Sequence, residues 1–270
     1  MQFNFEELRS MTTISTSDIP FFLGFCGMMA VFRYVIMHFF LERLAIIFKQ
    51  KNPTKFKNRS YDLIHYTTSA ILGLISMTTV NYGKCFFYAK DCLEPFQQQD
   101  AFVCTVIEKI YYFVFLSYYV VDYFYIYTSP EILVLAIHHF STISMVLLMV
   151  AIRMPAMGFA IMILHDVVDV PLYLGKVLYY LGSKVLKDIS MAVFAISCTY
   201  FRIFNLLIIV YQTWILERDE MNEFRPGWSR IAFWLLRVLY CLHLFWEWKI
   251  VKAVVAIIQG SGEIKDTRSD

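Results

Sequence analysis

Apolar residues in this chain form long continuous stretches rather than the alternating pattern typical of β-strands. Seven stretches are each close to the ~20 residues that a helix needs to cross a bilayer. They lie at residues 20–48, 61–82, 103–127, 131–152, 156–180, 188–215 and 229–258. Because the backbone in lipid must satisfy its own hydrogen bonds, the pattern predicts an all-α integral membrane protein, a bundle of about seven transmembrane helices.

The composition agrees with this prediction. The chain has 270 residues, of which 59% are hydrophobic and only 17% are charged, whereas soluble domains carry about 25% charged residues. The net charge of +2 is too small to indicate nucleic-acid binding. Residues 1–19 are polar and acidic, without a basic segment or a small-residue cleavage site, so we expect no cleaved signal peptide.

The charges of the loops predict an orientation in the membrane. Residues 49–59 carry five basic residues and no acidic one, and basic loops face the cytosol. The loop at 183–188 is also basic, whereas the loop at 216–228 is mostly acidic. We therefore predict three parts: a lumenal N-terminal segment at 1–19, a single transmembrane domain at 20–258 and a cytosolic tail at 259–270.

Polar and ionisable residues interrupt the fourth and fifth predicted helices. Such side chains are costly within a bilayer and indicate a functional site. At 3.6 residues per turn, His138 and Thr142 share one face of their helix. His165 and Asp169 share a face of the next helix, with Lys176 further along the same stripe. The whole set comprises His138, His139, Thr142, His165, Asp166, Asp169 and Lys176.

These residue types fit three kinds of site. A neutral imidazole can remove a proton from an attacking amine or form an acyl-imidazole itself, and a neighbouring carboxylate can orient it, which favours acyl transfer. The same side chains could instead make purely structural hydrogen bonds between helices. A single zinc bound by His and Asp is the third interpretation, although the spacing matches no standard ligand pattern.

Three further polar residues lie in predicted helices outside this set. Arg202 is expected to pair with Asp166 or Asp169, because a buried arginine needs an anionic partner. Asn205 follows Arg202 by one turn. Asp122, near the end of the third helix, is a further candidate member of the site.

The motif HHFST followed by LHDVVDVPLYLGK, at 138–142 and 164–176, resembles the signature of ceramide synthases within the TLC-domain family. Weaker similarities occur in the same order along the chain. They are FRYVIMHFFLERLA at 32–45, KFKNRSYDLIHY at 55–66, YFRIFN at 200–205 and CLHLFW at 241–246. The resemblance covers residues 30 to 255, approximately.

The resemblance implies a TLC-type bundle that transfers a fatty acyl group from acyl-CoA to the amine of a sphingoid base in the endoplasmic reticulum membrane. It implies no metal and no cofactor, with acyl-CoA as co-substrate. The expected partners are acyl-CoA, a sphingoid base and membrane lipid, with homo- or heterodimerisation as a further expectation. The candidate catalytic residues are His138, His139, Asp166, Asp169 and His165. The candidate substrate-binding residues are Arg202, Lys176, Asn205 and Thr142.

Several positions depart from the family pattern. Tyr173 stands where the family has glutamate, Ala156 stands where it has arginine, and the basic-Asp element before the paired histidines is reduced to Pro130-Glu131. The alternative function is therefore a non-catalytic TLC-domain protein that binds or senses membrane lipid. A seven-helix receptor is disfavoured because Asp-Arg-Tyr and NPxxY motifs are missing, and a transporter is disfavoured because the chain has no internal repeats.

Overall fold

The structure, a computed structural model, describes residues 5–80, 102–126, 131–219 and 226–259. Within these ranges the chain is almost entirely helical. The helices are α1 (Phe5–Arg9), α2 (Ile19–Val35), α3 (Glu42–Ile47), α4 (Pro53–Met77), α5 (Val106–Tyr123), α6 (Ile132–Ala151), α7 (Pro155–Tyr180), α8 (Lys184–Ser197), α9 (Leu206–Asp219) and α10 (Pro226–Ile258).

Two pairs of helices are each continuous through a π-helical segment. Ile36–Leu41 joins α2 to α3, and Cys198–Asn205 joins α8 to α9. A π-helical segment widens the helix by one residue per turn and is often found at functional sites. The second of these segments carries Arg202 and Asn205, so two predicted site residues lie where the backbone departs from regular α-helix.

Each of the seven predicted stretches contains helix, which confirms an all-α fold. In the described residues, four helical segments are long and apolar enough to cross a membrane: Thr16–Ile47, Ile132–Ala151, Pro155–Tyr180 and Lys184–Ile215. The remaining long helices, α4, α5 and α10, carry more polar residues. A membrane protein with four spanning helices is thus supported, and a total of seven spans stays a prediction.

The start of α4 differs from the predicted start of its span. The helix begins at Pro53, eight residues earlier than the apolar stretch, because Pro occupies its first turn, where a missing N–H costs nothing. Part of the basic segment at 49–59 is therefore helical and structural. Lys57 pairs with Glu42 of α3, and Arg59 lies 3.6 Å from Asp62 one turn further on.

A short β-ribbon, which the apolar pattern did not predict, fixes the N-terminal segment. Strand β1 (Met11–Ile14) pairs antiparallel with β2 (Phe102–Thr105), directly before α5. Lys109 of α5 reinforces the contact: its Nζ donates to Thr13 O at 2.8 Å and to Asp18 Oδ1 at 2.6 Å. The segment preceding α2 is thus held against the beginning of α5.

Helix α7 lies at the centre of the bundle. It packs against α4 on one side and α8 on another, while α10 packs against α6. Every residue from Met157 to Asp166 is buried. Gly158 permits a close approach, because a Cβ there would lie 2.4 Å from the Tyr112 hydroxyl. The buried stretch ends at the polar residues that the sequence singled out.

Candidate active site

Three histidines from three helices meet inside the bundle. The ring of His138 on α6 lies 5.6 Å, centroid to centroid, from His165 on α7 and 5.9 Å from His243 on α10. All three residues are at most 8% exposed. Trp246, one turn after His243, places its ring 5.1 Å from that of His138. The fourth and fifth predicted spans therefore do bring their histidines together, and the last helix adds a third.

The hydrogen bonds of His165 and His243 fix which ring nitrogens carry protons. His165 Nδ1 lies 2.6 Å from the carbonyl oxygen of Ile161, so this nitrogen must donate. His165 Nε2 lies 3.1 Å from His243 Nε2. Since a neutral ring has only one N–H, His243 donates and His165 accepts. His243 lies in the CLHLFW stretch at 241–246, and nothing in its spacing pointed to this bond.

His139 faces away from this trio towards α5. Its Nδ1 lies 2.9 Å from the carbonyl oxygen of Leu135, and its Nε2 lies 3.2 Å from Asp122 Oδ2. Arg33 of α2 donates to the other oxygen of the same carboxylate at 2.8 Å. The carboxylate beside His139 is thus Asp122, the candidate from the third predicted span, and Arg33 from the first predicted span completes the group.

Asp166 is fully buried between α4 and α5. Its Oδ2 accepts hydrogen bonds from the hydroxyl groups of Ser69 at 2.5 Å and Tyr111 at 2.8 Å. Hydroxyl donors stabilise a carboxylate without neutralising it. Ser69 and Tyr111 were not identified from the sequence, because both lie in helices far from Asp166 along the chain.

Asp169 and Arg202 form an ion pair at 2.8 Å, which confirms one of the two partners predicted for Arg202. The same guanidinium nitrogen donates to the backbone carbonyl of His165 at 2.8 Å. A helical carbonyl that accepts an extra bond is held in place, so Arg202 links the π-helical segment to the turn of α7 that carries His165. The cation therefore has a clear structural role.

The other candidate substrate-binding residues lie around this cluster. Thr142 and Asn205 are both buried, and Thr142 stands one turn after His138. Lys176 is half-buried, with its Nζ 5.1 Å from the centre of the Tyr173 ring. Tyr173 in turn stacks on Tyr66 at 5.1 Å. The position at which the family has glutamate is thus part of an aromatic stack.

The described residues contain no group of three or more His, Cys, Asp and Glu side chains arranged to hold a metal ion. What they do contain is a polar core in which imidazoles, carboxylates and guanidinium groups from six helical segments meet within apolar surroundings. Such a core defines a polytopic helical membrane protein with an internal site. It excludes a bundle held together by apolar packing alone.

Residues 55–252 match the family model of the TLC domain, described by its TRAM, LAG1 and CLN8 members, and the chain belongs to this family. Among characterised relatives, ceramide synthase LOH1 of Arabidopsis thaliana is 27% identical, over 92% of this chain and 90% of the relative. Ceramide synthase 1 LOH3 of the same plant is 25% identical, over 82% and 75%. Ceramide synthase hyl-2 of Caenorhabditis elegans is 23% identical, over 89% and 79%. The resemblance seen in the sequence is confirmed.

Proposed function

We propose that this protein transfers a fatty acyl group from acyl-CoA to the amine of a sphingoid base, forming a ceramide-type amide. The observation that carries the proposal is the position of His138, which lies buried among two other imidazoles and an indole. The similarity to ceramide synthases of a plant and a nematode supports the choice of substrates.

The reaction needs one group that handles a proton. The thioester C–S bond breaks, an amide C–N bond forms, and the proton lost by the amine ends on the departing thiolate of coenzyme A. His138 is the group for this task, either as a general base or as a nucleophile that forms an acyl-imidazole before the amine attacks. His139 is less suited, since both of its ring nitrogens already face acceptors.

The residues around His138 orient the histidine rings and stabilise the charge that develops during the reaction. The bond from His243 to His165 fixes the two rings that flank His138, and Arg202 ties the backbone of His165 to Asp169. Asp166, held by the hydroxyl groups of Ser69 and Tyr111, is the carboxyl group that we propose to stabilise the positive charge that develops on a histidine during proton transfer. No step of this scheme requires a metal ion or a cofactor.

The substrates would reach the site from the cytosolic side of the endoplasmic reticulum membrane. His138 is the seventh residue of α6, so it lies about 9 Å along the axis from the start of that helix. The C-terminal end of α7 packs beside the beginning of α4, where Val177 contacts Phe56. Lys176 at this end and Lys55 in the first turn of α4 are the cations that we propose for the phosphates of coenzyme A.

The experiment uses purified full-length protein in lipid nanodiscs with a sphingoid base and acyl-CoA of several chain lengths. The wild type is expected to form an amide, detected by mass spectrometry of the lipid, and His138→Ala is expected to abolish it. His38→Ala is the matched control, because His38 is exposed and its ring bonds Tyr34 O one turn earlier in the same helical segment, outside the histidine cluster. Absence of amide from the wild type at every chain length would refute the proposal.

A second function, lipid binding without turnover, is favoured by one observation. The buried Tyr173 side chain stacks between Tyr66 and the Lys176 ammonium group, at a position where ceramide synthases carry a carboxylate. Replacing Tyr173 with Glu restores the family residue. Under the enzymatic proposal the wild type is active without this change, whereas a lipid-binding protein binds the sphingoid base but makes no amide with either residue.

A further inference from the structure

The two adjacent histidines of α6 have different surroundings. His138 points towards α7 and α10, whereas His139 has an acceptor at each ring nitrogen: Leu135 O at 2.9 Å and Asp122 Oδ2 at 3.2 Å. A neutral imidazole has a single N–H and cannot donate to both. Both bonds are satisfied together only when the ring carries two protons or when the carboxylate carries one.

Arg33 decides between these two arrangements. Its guanidinium donates to Asp122 Oδ1 at 2.8 Å, and a carboxylate next to a guanidinium stays ionised. The arginine is itself fixed, because its Cζ lies 3.9 Å from the centre of the Tyr125 ring and 4.9 Å from that of Tyr61. The proton of the shared bond therefore belongs to His139.

The other groups that face His139 do not oppose this assignment. The rings of Tyr119 and Tyr123 on α5 lie 5.2 Å and 6.4 Å from its ring, and the ring of His138 lies 5.6 Å away. These ring contacts are two phenols and a second imidazole. Arg33, Asp122 and a His139 imidazolium together sum to one positive charge, held next to His138 by side chains from α2, α5 and α6. The buried Asp62 carboxylate also acts on Arg33 and Asp122, and it is paired with Arg59.

We propose that Asp122, clamped by Arg33, is a positioning residue that holds His139 as a fixed imidazolium beside His138. This inference rests on the acyl transfer proposed above. When a nucleophile attacks the thioester, negative charge develops on the carbonyl oxygen, and a fixed positive charge nearby stabilises it without any reorganisation. His138 and His139 thus have different roles. His138 transfers the acyl group or the proton, and His139 provides the positive charge that stabilises the carbonyl oxygen.

The first test measures protonation and does not depend on activity. Nitrogen-15 NMR of the full chain, labelled at histidine and studied at pH 8, is expected to show one ring with both nitrogens protonated. The signal should disappear in His139→Gln, which assigns it, and in Asp122→Asn, and should persist in Asp122→Glu. Asp18→Asn is the matched control, because Asp18 is also a carboxylate paired with a cation beside α5, but at the opposite end of that helix, where it accepts from Lys109. A neutral His139 in the wild type would overturn the proposal.

The second test measures the consequence for turnover. Asp122→Asn is expected to lower kcat about 100-fold, the usual effect of removing one electrostatic contribution, with KM for acyl-CoA changed less than about threefold, and Asp122→Glu to recover part of the loss. A folding defect would instead lower the amount of active protein without this pattern and would appear as a lower Tm. An unchanged kcat overturns the catalytic part of the inference. A wild type without amide product refutes the proposed function instead, and the NMR signal still decides the assignment of Asp122.

Discussion

Arg202 in the π-helical segment lies 2.8 Å from the Asp169 carboxylate on α7. The two side chains are 8% and 10% exposed, so the guanidinium group and the carboxylate have both lost most of their hydrating water. Desolvation of this kind makes the pair costly to break, because removal of one partner leaves the other charged and buried. The ion pair therefore fixes α7 against the segment between α8 and α9.

Replacing Arg202 with Met is expected to lower the free energy of unfolding by about 3–5 kcal/mol, since Asp169 then remains as an unpaired buried charge. The double variant Arg202→Met/Asp169→Leu should recover much of this loss. Thermal unfolding in detergent, followed by circular dichroism, measures both. An equal loss of stability in the single and double variants would show that the pair is not what Arg202 contributes.

The close contact between Gly158 and Tyr112 at the centre of the bundle can be tested by substitution. A Cβ on residue 158 would lie 2.4 Å from the Tyr112 hydroxyl, and that ring is buried against Phe102 with a centroid distance of 5.4 Å. Gly158→Ala is therefore expected to lower stability by about 1–3 kcal/mol, as overpacking does. Adding Tyr112→Phe removes the clashing oxygen and should restore part of the stability, although it also removes the hydrogen bond from the Tyr112 hydroxyl to Pro155 O.

Gly24→Ala is the control for this contact, because nothing lies within 4 Å of a Cβ at that position in α2. It should be neutral or stabilise slightly, since Ala favours a helix by about 1 kcal/mol relative to Gly. If Gly158→Ala behaves like Gly24→Ala in thermal unfolding, the close packing of α5 against α7 is not as described.

The two hydroxyl groups that donate hydrogen bonds to Asp166 can be removed one at a time. Ser69→Ala and Tyr111→Phe each delete one hydrogen bond to a buried carboxylate, so each should lower the free energy of unfolding by about 1–2 kcal/mol. Thr68→Ala is the matched control, because this exposed neighbour of Ser69 donates to the carbonyl of Ile64 in its own helix and not to Asp166. Equal effects at positions 68 and 69 would contradict the assigned role of Ser69.

His243 can be tested through the proton that it donates to His165. His243→Phe keeps an aromatic ring but has no N–H, and it should lower kcat by about 100-fold, because a ring that loses its anchor moves out of the productive geometry. His243→Gln retains a donor and should lose less. Rates of amide formation in nanodiscs measure the difference, and equal kcat values for Phe, Gln and wild type would show that the bond is irrelevant to turnover.

The bounds of α6 and α7 could be predicted closely from the sequence. The apolar stretches 131–152 and 156–180 correspond to Ile132–Ala151 and Pro155–Tyr180. Both helices are continuous in hydrophobicity and end at short polar turns, so composition alone marks their ends. The start of α4 could not be found in this way, because its first two turns are basic and are held by ion pairs with Glu42 and Asp62.

The membership of the polar core was predictable in part. Helical periodicity correctly grouped His138 with Thr142, and His165 with Asp169, since faces follow from spacing. The partners across helices did not follow from spacing: Asp166 finds its donors 97 and 55 residues away, at Ser69 and Tyr111. Which faces meet depends on the packing of the whole bundle, and no local pattern encodes it.

The most direct test of the account is the intact mass of the protein after incubation with acyl-CoA alone, without the amine substrate. If His138 is a nucleophile, the wild type gains the mass of one acyl group, the gain disappears in His138→Ala, and addition of a sphingoid base releases it as amide. Amide formed at wild-type rate by His138→Ala, with or without a covalent adduct at another residue, would contradict the central claim that His138 handles the acyl transfer.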